Sequence, residues 1–288
     1  MSTVTSVVTT NESGLKTFVK RNPLISMCVL TLAFAWPGLI WEALYSQGLV
    51  ASQSPLVLSL LIGWVPGIAA VVVSAIIAGR VGVRDLLRRF LVWRVGVVWY
   101  AVALFLLAAL IIGGIGLQVL FGGAMPVIPA AGASLTEILL SFVVTILFAS
   151  LINTEEIAWR GFALPRLQGR YSVLAACVIL SIPESLLHLP YFWNKDVAFY
   201  QTVGIFWFAA FNLAVVFIYA FMFNKTKGGL LVVTIAHASQ NAWANLLSDN
   251  TLRPFQFTVA LAWMIALALI FLTKGQLGYE AESARNNE

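Results

Sequence analysis

Ionisable side chains fall inside apolar stretches of this sequence, and their types and spacing would suit acid–base chemistry. Glu155 and Glu156 are adjacent, and Arg160 follows Glu156 by four residues. The two histidines of the chain, His188 and His237, also lie in apolar segments. Ionisable groups are costly in hydrocarbon, so one found within a membrane segment is by default a functional-site hypothesis. We therefore expect this chain to carry out chemistry inside a membrane.

The spacing divides the two adjacent carboxylates between different roles. Glu156 and Arg160 share a helix face, which predicts a structural ion pair. Glu155 is rotated by about 100° from Glu156 around the helix axis, so it faces a different side of the helix. An unpaired carboxylate in surroundings of low dielectric constant suits a general acid or base. One carboxylate is thus expected to be structural and the other catalytic.

A second polar pair lies further along the chain. His237 and Asn241 are four residues apart and share a helix face, while His188 supplies another imidazole from a different helix. An imidazole beside a carboxamide could stabilise a developing oxyanion or help to bind a metal ion. Both alternatives remain open at this point.

The composition predicts the elements that hold these groups. Hydrophobic residues make up 60% of the chain and charged residues only 10%, with a mean hydropathy of +0.92, whereas a soluble domain carries about a quarter charged residues. We predict an all-α polytopic membrane protein, with about eight transmembrane helices around a polar cavity. The predicted spans are 24–46, 56–78, 96–121, 138–161, 173–194, 200–223, 229–247 and 255–273.

The basic residues predict the orientation of these spans. Of the 17 lysines and arginines, all except Lys195 and Arg253 fall on one side of the membrane. Because basic loops stay in the cytoplasm, both termini are predicted to be cytoplasmic, and the plasma membrane of a prokaryote suits this asymmetry. The net charge of +5 thus belongs to loops beside the lipid bilayer, and no nucleic-acid partner is expected.

Three motifs follow one another in the C-terminal half of the chain. They are E-E-x-x-x-R at 155–160, a histidine at 188 followed by Leu-Pro, and H-x-x-x-N at 237–241. Together with the continuation WRGFALPRLQ, they resemble the CPBP family, the CAAX-protease and bacteriocin-processing membrane proteins that include the Rce1-type prenyl endopeptidases. The resemblance covers roughly residues 137–247.

The resemblance implies an α-helical intramembrane endopeptidase with its active site in a cavity reached from the cytosol. In family terms, Glu155 and His188 would activate a water molecule, while His237 and Asn241 would stabilise the tetrahedral intermediate. The same four residues would hold a divalent metal such as zinc if the reaction uses one, but they suffice without it. The implied substrate is a peptide or lipidated peptide, either of the prenylated CAAX type or a leader peptide.

Composition and charge pattern, together with the resemblance, predict how the chain is divided. Residues 1–22 are expected to be a mobile cytosolic arm. Residues 23–136 would hold N-terminal transmembrane helices, with an interfacial helix near 80–94. Residues 137–247 would form the CPBP-like catalytic core, and residues 248–288 the last transmembrane helix and a cytosolic tail.

One position departs from the family pattern. Four residues before His188, where family members usually carry an aromatic residue, this chain has Glu184. A third carboxylate at this place could pair with His188, change its titration or alter what the cavity accepts. Glu184 is therefore a predicted modulator, and it puts prenyl-protein specificity in question more than hydrolysis.

Simple hydropathy separates the predicted catalytic partners along the membrane normal. Glu155 falls toward the cytoplasmic end of its span and His188 toward the outer end of the next. At a rise of about 1.5 Å per residue, they would lie roughly 20 Å apart. For Glu155 and His188 to meet, the fourth predicted span must run past Arg160 and the fifth must start near Val178.

Two other classes of function fit the same residues. A non-catalytic membrane scaffold or bacteriocin-immunity protein could use the same fold to bind a partner, and Glu184 favours this alternative. A proton-coupled or ion-coupled transporter could use the buried carboxylates as a relay. The sequence shows no internal repeat, which argues against a transporter built from inverted repeats.

Overall fold

The computed structural model describes residues 14–280, and within this range the chain forms helices and no strand. The α-helices are α1 (Gly14–Arg21), α2 (Pro23–Ser46), α3 (Leu56–Ile62), α4 (Val65–Leu87), α5 (Val97–Leu120), α6 (Leu135–Ile152), α7 (Leu164–Gln168), α8 (Val173–Leu187), α9 (Ala198–Lys225), α10 (Leu230–Leu247) and α11 (Leu252–Leu272). Short 3₁₀ helices follow α4 at Arg88–Leu91 and α8 at Leu189–Trp193. The chain is a polytopic helical membrane protein, as predicted.

Helices occupy each of the predicted spans, although the count of eight spans is not confirmed. Among the described residues, 6 helices are long and apolar enough to cross a membrane. Two predicted spans fall short of this: α8 is a shorter apolar helix, and α10 carries the polar groups of the third motif. The span predicted at 56–78 is divided between α3 and α4.

The N-terminal third differs from the prediction at two places. Residues 1–13 lie outside the described residues, and the rest of the predicted arm is helical, because α1 occupies Gly14–Arg21 and buries Val19. Helix α4 changes direction at Ala78 and Gly79, where Gly79 has a φ of 58°. The segment after this kink, together with the 3₁₀ helix at Arg88–Leu91, occupies most of the region predicted as an interfacial helix.

The two ends of the molecule differ in charge. At one end, Arg89 stacks over Phe223 at the close of α9, and Arg166 lies near Arg89 and Arg170. We call this the basic end; it contains the connections at 88–96, 169–172 and 226–229. At the opposite end, the N–H group of Ala130 donates to the carbonyl of Leu246 at 3.0 Å. We call this the cavity end; it contains the connections at 121–134, 194–197 and 248–251.

The protein core lies around α9, α10 and the segment between α6 and α8. Trp159, Arg160 and Tyr219 are among the largest fully buried side chains. Helix α10 packs against α5, α6 and α9, and its Trp243 indole donates to the carbonyl of Leu104 at 2.6 Å. In contrast, α6 has no buried residue and lies at the outside of the helix bundle.

A helix break divides the fourth predicted span just before the two adjacent glutamates. The prediction of one continuous span over 138–161 is therefore corrected: α6 ends at Ile152, and Asn153 adopts an extended backbone with ψ 101°. The chain becomes helical again at Glu155 and remains so to Gln168. Glu155 thus stands at the start of a second helical segment. This segment runs past Arg160, as was required for Glu155 and His188 to meet.

Two glycines of α4 and its preceding turn hold this break in place. The hydroxyl of Thr154 donates to the carbonyl of Gly63 at 2.9 Å and accepts from the N–H group of Gly67 at 3.0 Å. A Cβ atom at Gly67 would meet the Thr154 hydroxyl at 2.5 Å, and one at Gly63 would meet the Ile152 carbonyl at 2.8 Å. Small residues four apart allow such close approach in membrane helices. The Thr154 hydroxyl also provides a hydrogen-bond partner for two backbone groups that hydrocarbon could not satisfy.

The residues after the glutamates form a π-helical turn, Ile157–Ala163. The N–H group of Leu164 donates to the carbonyl of Trp159, five residues earlier. Pro165 follows, and because it has no N–H group and its ring crowds the carbonyl four residues before it, it favours a widened turn here. The π turn carries Trp159 and Arg160 into the core, where each contacts a glutamate.

Candidate active site

One cavity of about 800 Å³ collects the side chains of the three motifs. Its lining includes Glu155 from the segment after the break, His188 from the end of α8, and His237 and Asn241 from α10. The helices α5, α6, α9 and α11 complete its walls. The structure therefore brings together the four residues predicted from the sequence as catalytic, and the separation expected from hydropathy does not occur.

Glu155 faces this cavity and is held by its neighbours. Its Oε2 accepts a hydrogen bond from the Trp159 indole at 3.1 Å, and its backbone N–H group donates to Asn153 Oδ1 at 3.0 Å. The His188 and His237 rings are close enough to interact with the carboxylate charge. The side chain is almost fully buried in the protein yet opens onto the cavity, which is the setting expected of a general base.

The ring of His188 is fixed so that one nitrogen is left for chemistry. Its Nδ1 lies 2.9 Å from the carbonyl oxygen of Glu184. A carbonyl only accepts, so Nδ1 carries the proton and Nε2 of the neutral ring keeps its lone pair. The rings of Tyr191, Tyr200 and Phe208 surround the imidazole, with centroids 5.1 to 6.1 Å away.

His237 is engaged at both ring nitrogens. Its Nδ1 lies 2.8 Å from Glu156 Oε1, and its Nε2 lies 3.1 Å from Asn153 Nδ2. Because Asn153 Oδ1 already accepts from the Glu155 backbone, its amide nitrogen must face the imidazole. His237 is therefore neutral here, donating from Nδ1 and accepting at Nε2. Sequence spacing gave no signal for Asn153, which lies in the helix break.

Arg160 joins two glutamates in a buried ionic cluster. Its Nη1 lies 3.2 Å from Glu156 Oε1 and 2.7 Å from Glu184 Oε1, and the guanidinium is fully buried. The guanidinium also lies over the Tyr219 ring, 5.1 Å from its centroid. The pair Glu156–Arg160 is thus present as part of a larger cluster that connects the segment after the break to α8, α9 and, through His237, α10. We call these four residues, Glu156, Arg160, Glu184 and His237, the ionic cluster.

Glu184 has a different partner from the one its spacing suggested. Its carboxylate binds Arg160, while His188 is bonded to its backbone carbonyl. The second carboxylate oxygen of Glu184 is buried without a hydrogen-bond partner within residues 14–280, and the side chain lines the cavity. Glu184 therefore fixes the His188 ring through its backbone carbonyl, while its carboxylate pairs with Arg160 at the cavity wall.

Asn241 lines the same cavity one helical turn from His237. Its side chain is partly buried, and within the described range it has no hydrogen-bond partner. A free carboxamide facing a cavity can donate to a group placed there. In this arrangement Asn241 is the available donor of the third motif, whereas His237 is occupied.

The arrangement of donors does not fit a metal ion. Within the part of the chain that the structure describes, no three His, Cys, Asp or Glu side chains form a group that could hold one. Both nitrogens of His237 contact other side chains, so it would have to leave Asn153 or Glu156 before acting as a ligand.

The site defines a helical membrane protein with a polar cavity built from two glutamates, two histidines and an asparagine. Residues 134–243 match the family model for the type II CAAX prenyl endopeptidase Rce1-like proteins. The resemblance noted in the sequence is confirmed over this segment. No curated protein matches the chain.

Proposed function

We propose that this chain is an intramembrane endopeptidase that hydrolyses a peptide bond with water activated by Glu155 and His188. The observation that carries the proposal is the single cavity lined by Glu155, His188, His237 and Asn241. A carboxylate and the free nitrogen of a neutral imidazole can together accept a proton from water. The match of residues 134–243 to a protease family supports the same reaction class.

Water loses a proton to the Glu155 and His188 pair, and its oxygen forms a bond to the carbonyl carbon of the peptide. The oxyanion that develops accepts a hydrogen bond from the Asn241 amide. The C–N bond then breaks as the C=O bond re-forms and the stored proton moves to the leaving nitrogen, which yields a carboxylic acid and an amine. The acid then loses its remaining proton to Glu155 or to solvent and becomes a carboxylate.

His237 takes a positioning role in this proposal. With Asn153 donating to its Nε2, the ring cannot donate to an oxyanion. It can do so only when Nε2 gains a proton and Asn153 turns away, since two donors cannot face each other. In the arrangement described, His237 holds Glu156 and orients the helix that carries Asn241.

The basic end is proposed to face the cytoplasm, and the termini are proposed to lie on the same side. The proposed membrane is the plasma membrane of a prokaryote. The basic residues that support this orientation include Arg88, Arg89, Arg166 and Arg170, all at the basic end. The partners are the lipid bilayer and a peptide or lipidated peptide.

The test is cleavage of quenched fluorescent peptides by detergent-purified protein. The panel contains farnesyl-cysteine peptides with a C-terminal tetrapeptide and unmodified leader-like peptides. We expect wild type to cleave at least one class, and Glu155→Gln to be slower by about 10²–10⁴-fold, as for loss of a general base. Asp85→Asn is the control, because this half-exposed carboxylate lies at the basic end.

Equal cleavage by wild type and Glu155→Gln would contradict the assignment of Glu155. If neither protein cleaves any peptide, and binding of a peptide survives substitution of both Glu155 and His188, the non-catalytic scaffold replaces the protease as the better account of the site. Comparison of the two peptide classes identifies the substrate.

A further inference from the structure

A second concave site lies on the outer surface of the helix bundle, between α2 and α8. It has a volume of about 470 Å³, and among the described residues its lining shares no member with the cavity of the candidate active site. Its floor is formed by the buried side chains of Ala163, Leu167 and Leu180. Its walls are apolar side chains that α2 and α8 expose, namely Ile25, Val29, Ile179, Ile182 and Leu186. We call this site the lateral groove.

The lateral groove runs from the basic end toward the middle of the molecule. Helices α2 and α8 begin at Pro23 and Val173 and run away from the basic end side by side. The Trp36 indole donates to the carbonyl of Leu186 at 3.0 Å, which joins the two helices and closes the groove. Each of these residues lies 13 positions after the start of its helix, which is roughly 20 Å at a rise of about 1.5 Å per residue. The groove therefore spans the hydrocarbon of one leaflet, about 15 Å.

The charged residues of the lateral groove are two arginines at its basic end. Arg21 and Arg170 line it there, and within residues 14–280 the lining contains no aspartate or glutamate. Both side chains are exposed, and neither guanidinium has a hydrogen-bond or ion-pair partner in this part of the chain. The half-exposed ring of Tyr171 follows Arg170 in the lining, and tyrosine is typical of the membrane interface. Donors for an anion thus stand at the mouth of an apolar channel.

The combination fits a ligand with an anionic head and an apolar tail. Basic pockets between transmembrane helices bind the head groups of anionic lipids, and the planar guanidinium matches the oxygens of a phosphate. We propose that the lateral groove binds an anionic phospholipid from the leaflet at the basic end. Its phosphate lies between Arg21 and Arg170, and one acyl chain lies along α2 and α8. This proposal does not depend on the proposed protease activity, because the groove and the cavity have separate linings.

The acyl chain in this arrangement contacts the segment that carries Glu155. Ala163 and Leu167, on the floor of the groove, belong to the helical segment that runs from Glu155 to Gln168. The chain packs against this segment, α2 and α8 at the same time, so it joins three parts of the fold. A ligand that binds the folded state and not the unfolded state raises stability. Bound lipid should therefore raise the unfolding temperature.

The choice of head group is tested by native mass spectrometry of the detergent-purified chain. The probes are dioleoylphosphatidylglycerol and dioleoylphosphatidylcholine, which have the same acyl chains and differ in net charge. We expect wild type to bind the phosphatidylglycerol about tenfold more tightly, since each basic residue at a membrane surface attracts anionic lipid. Arg21→Gln combined with Arg170→Gln should bring the two lipids close to equal binding. Arg80→Gln combined with Arg84→Gln is the control, because it removes the same charge from exposed arginines outside the groove.

The position of the acyl chain is tested by filling the groove. Val29→Trp places a large side chain on the exposed wall, so binding of phosphatidylglycerol and the rise in unfolding temperature that it causes should both be lost. Val144→Trp is the control, because Val144 is a similarly exposed valine of α6 outside the groove. Glycerol phosphate carries the phosphate without the chains, and it should not displace the bound lipid.

Equal binding of the two lipids by wild type would assign the groove to bulk lipid and overturn the choice of an anionic head group. The same preference in both arginine double variants would remove Arg21 and Arg170 from the site. Unchanged binding in Val29→Trp, or displacement by glycerol phosphate, would overturn the position of the acyl chain. None of these results alters the expected loss of cleavage in Glu155→Gln, so the two proposals fail separately.

Discussion

The ionic cluster and the cavity face of the same helical segment differ in what their carboxylates contact. Glu156 contacts both Arg160 and His237 and is almost inaccessible to solvent. Its neighbour Glu155 contacts one indole and otherwise faces the cavity. Because successive residues of a helix are rotated by about 100°, two adjacent glutamates can face different surroundings and take different roles. Substitution of Arg160, which lies outside the cavity lining, should change stability, and substitution of Glu155 or His188 should change turnover.

The largest effect is expected from Arg160→Met. Removing the guanidinium leaves Glu156 and Glu184 buried without their shared cation. Breaking a buried charge network in this way costs about 3–5 kcal/mol. The detergent-solubilised variant should unfold at a clearly lower temperature or fail to accumulate, as followed by thermal unfolding. Arg88→Met, which removes an exposed ion pair at the basic end, is the control. Unchanged unfolding of Arg160→Met would contradict a stabilising role for the cluster.

A substitution at His188 should reduce turnover and leave stability nearly unchanged. His188→Gln removes the nitrogen that accepts a proton, so turnover should fall by about 10²–10⁴-fold. The unfolding temperature should change little, because the ring makes one hydrogen bond to a backbone carbonyl. A fall in stability as large as that of Arg160→Met would instead place His188 with the ionic cluster. The measurements are peptide cleavage and thermal unfolding of the same preparation.

A third substitution acts through the helix break. Gly67→Ala would push a Cβ against the hydroxyl of Thr154, which would displace the start of the segment that carries Glu155. Since a misplacement of about 1 Å can cost roughly 10²-fold in rate, we expect a loss of turnover of that order. Gly116→Ala is the matched control, because no atom lies within 4 Å of its added Cβ. Equal activity in the two variants would show that the glycine contact does not position Glu155.

The smallest effect is expected from Asn153→Ala. This change removes one hydrogen bond to His237 and one to the Glu155 backbone. Each such bond contributes about 1 kcal/mol, so turnover should fall by several-fold up to about 30-fold. Asn153→Asp should not restore activity, since it replaces the amide donor by an acceptor. Full activity in Asn153→Asp would remove Asn153 from the site.

Much of the fold could be predicted from the sequence because long apolar runs have few alternatives in a membrane. Each of the predicted spans contains a helix. The break after Ile152 could not be predicted, because no proline or glycine interrupts the hydropathy there. It is stabilised by Gly63 and Gly67, about ninety residues away in sequence, as the separations of 91 and 87 show. Tertiary hydrogen bonds of this kind leave no local pattern.

The residues of the candidate site were found by type and spacing, but several of their partners were not. Spacing along one helix gave the contact of Glu156 with Arg160. The contacts of Glu184 with Arg160 and of Glu156 with His237 join different helices, so periodicity carries no information about them. Helix α8 also begins at Val173 and not near Val178. Convergence comes instead from the break, which starts a new helical segment at Glu155.

The bonds between Thr154 and the two glycines mean that the proposed catalytic residues depend on a part of the chain outside the segment that matches the family model. The family match begins at residue 134, yet the groups that hold the turn before Glu155 belong to Gly63 and Gly67. A fragment containing only the matched segment would carry every proposed catalytic residue. It would lack Gly63 and Gly67, whose hydrogen bonds to Thr154 orient Glu155. Transplanting this site into another membrane scaffold would therefore require the glycine-bearing helix as well.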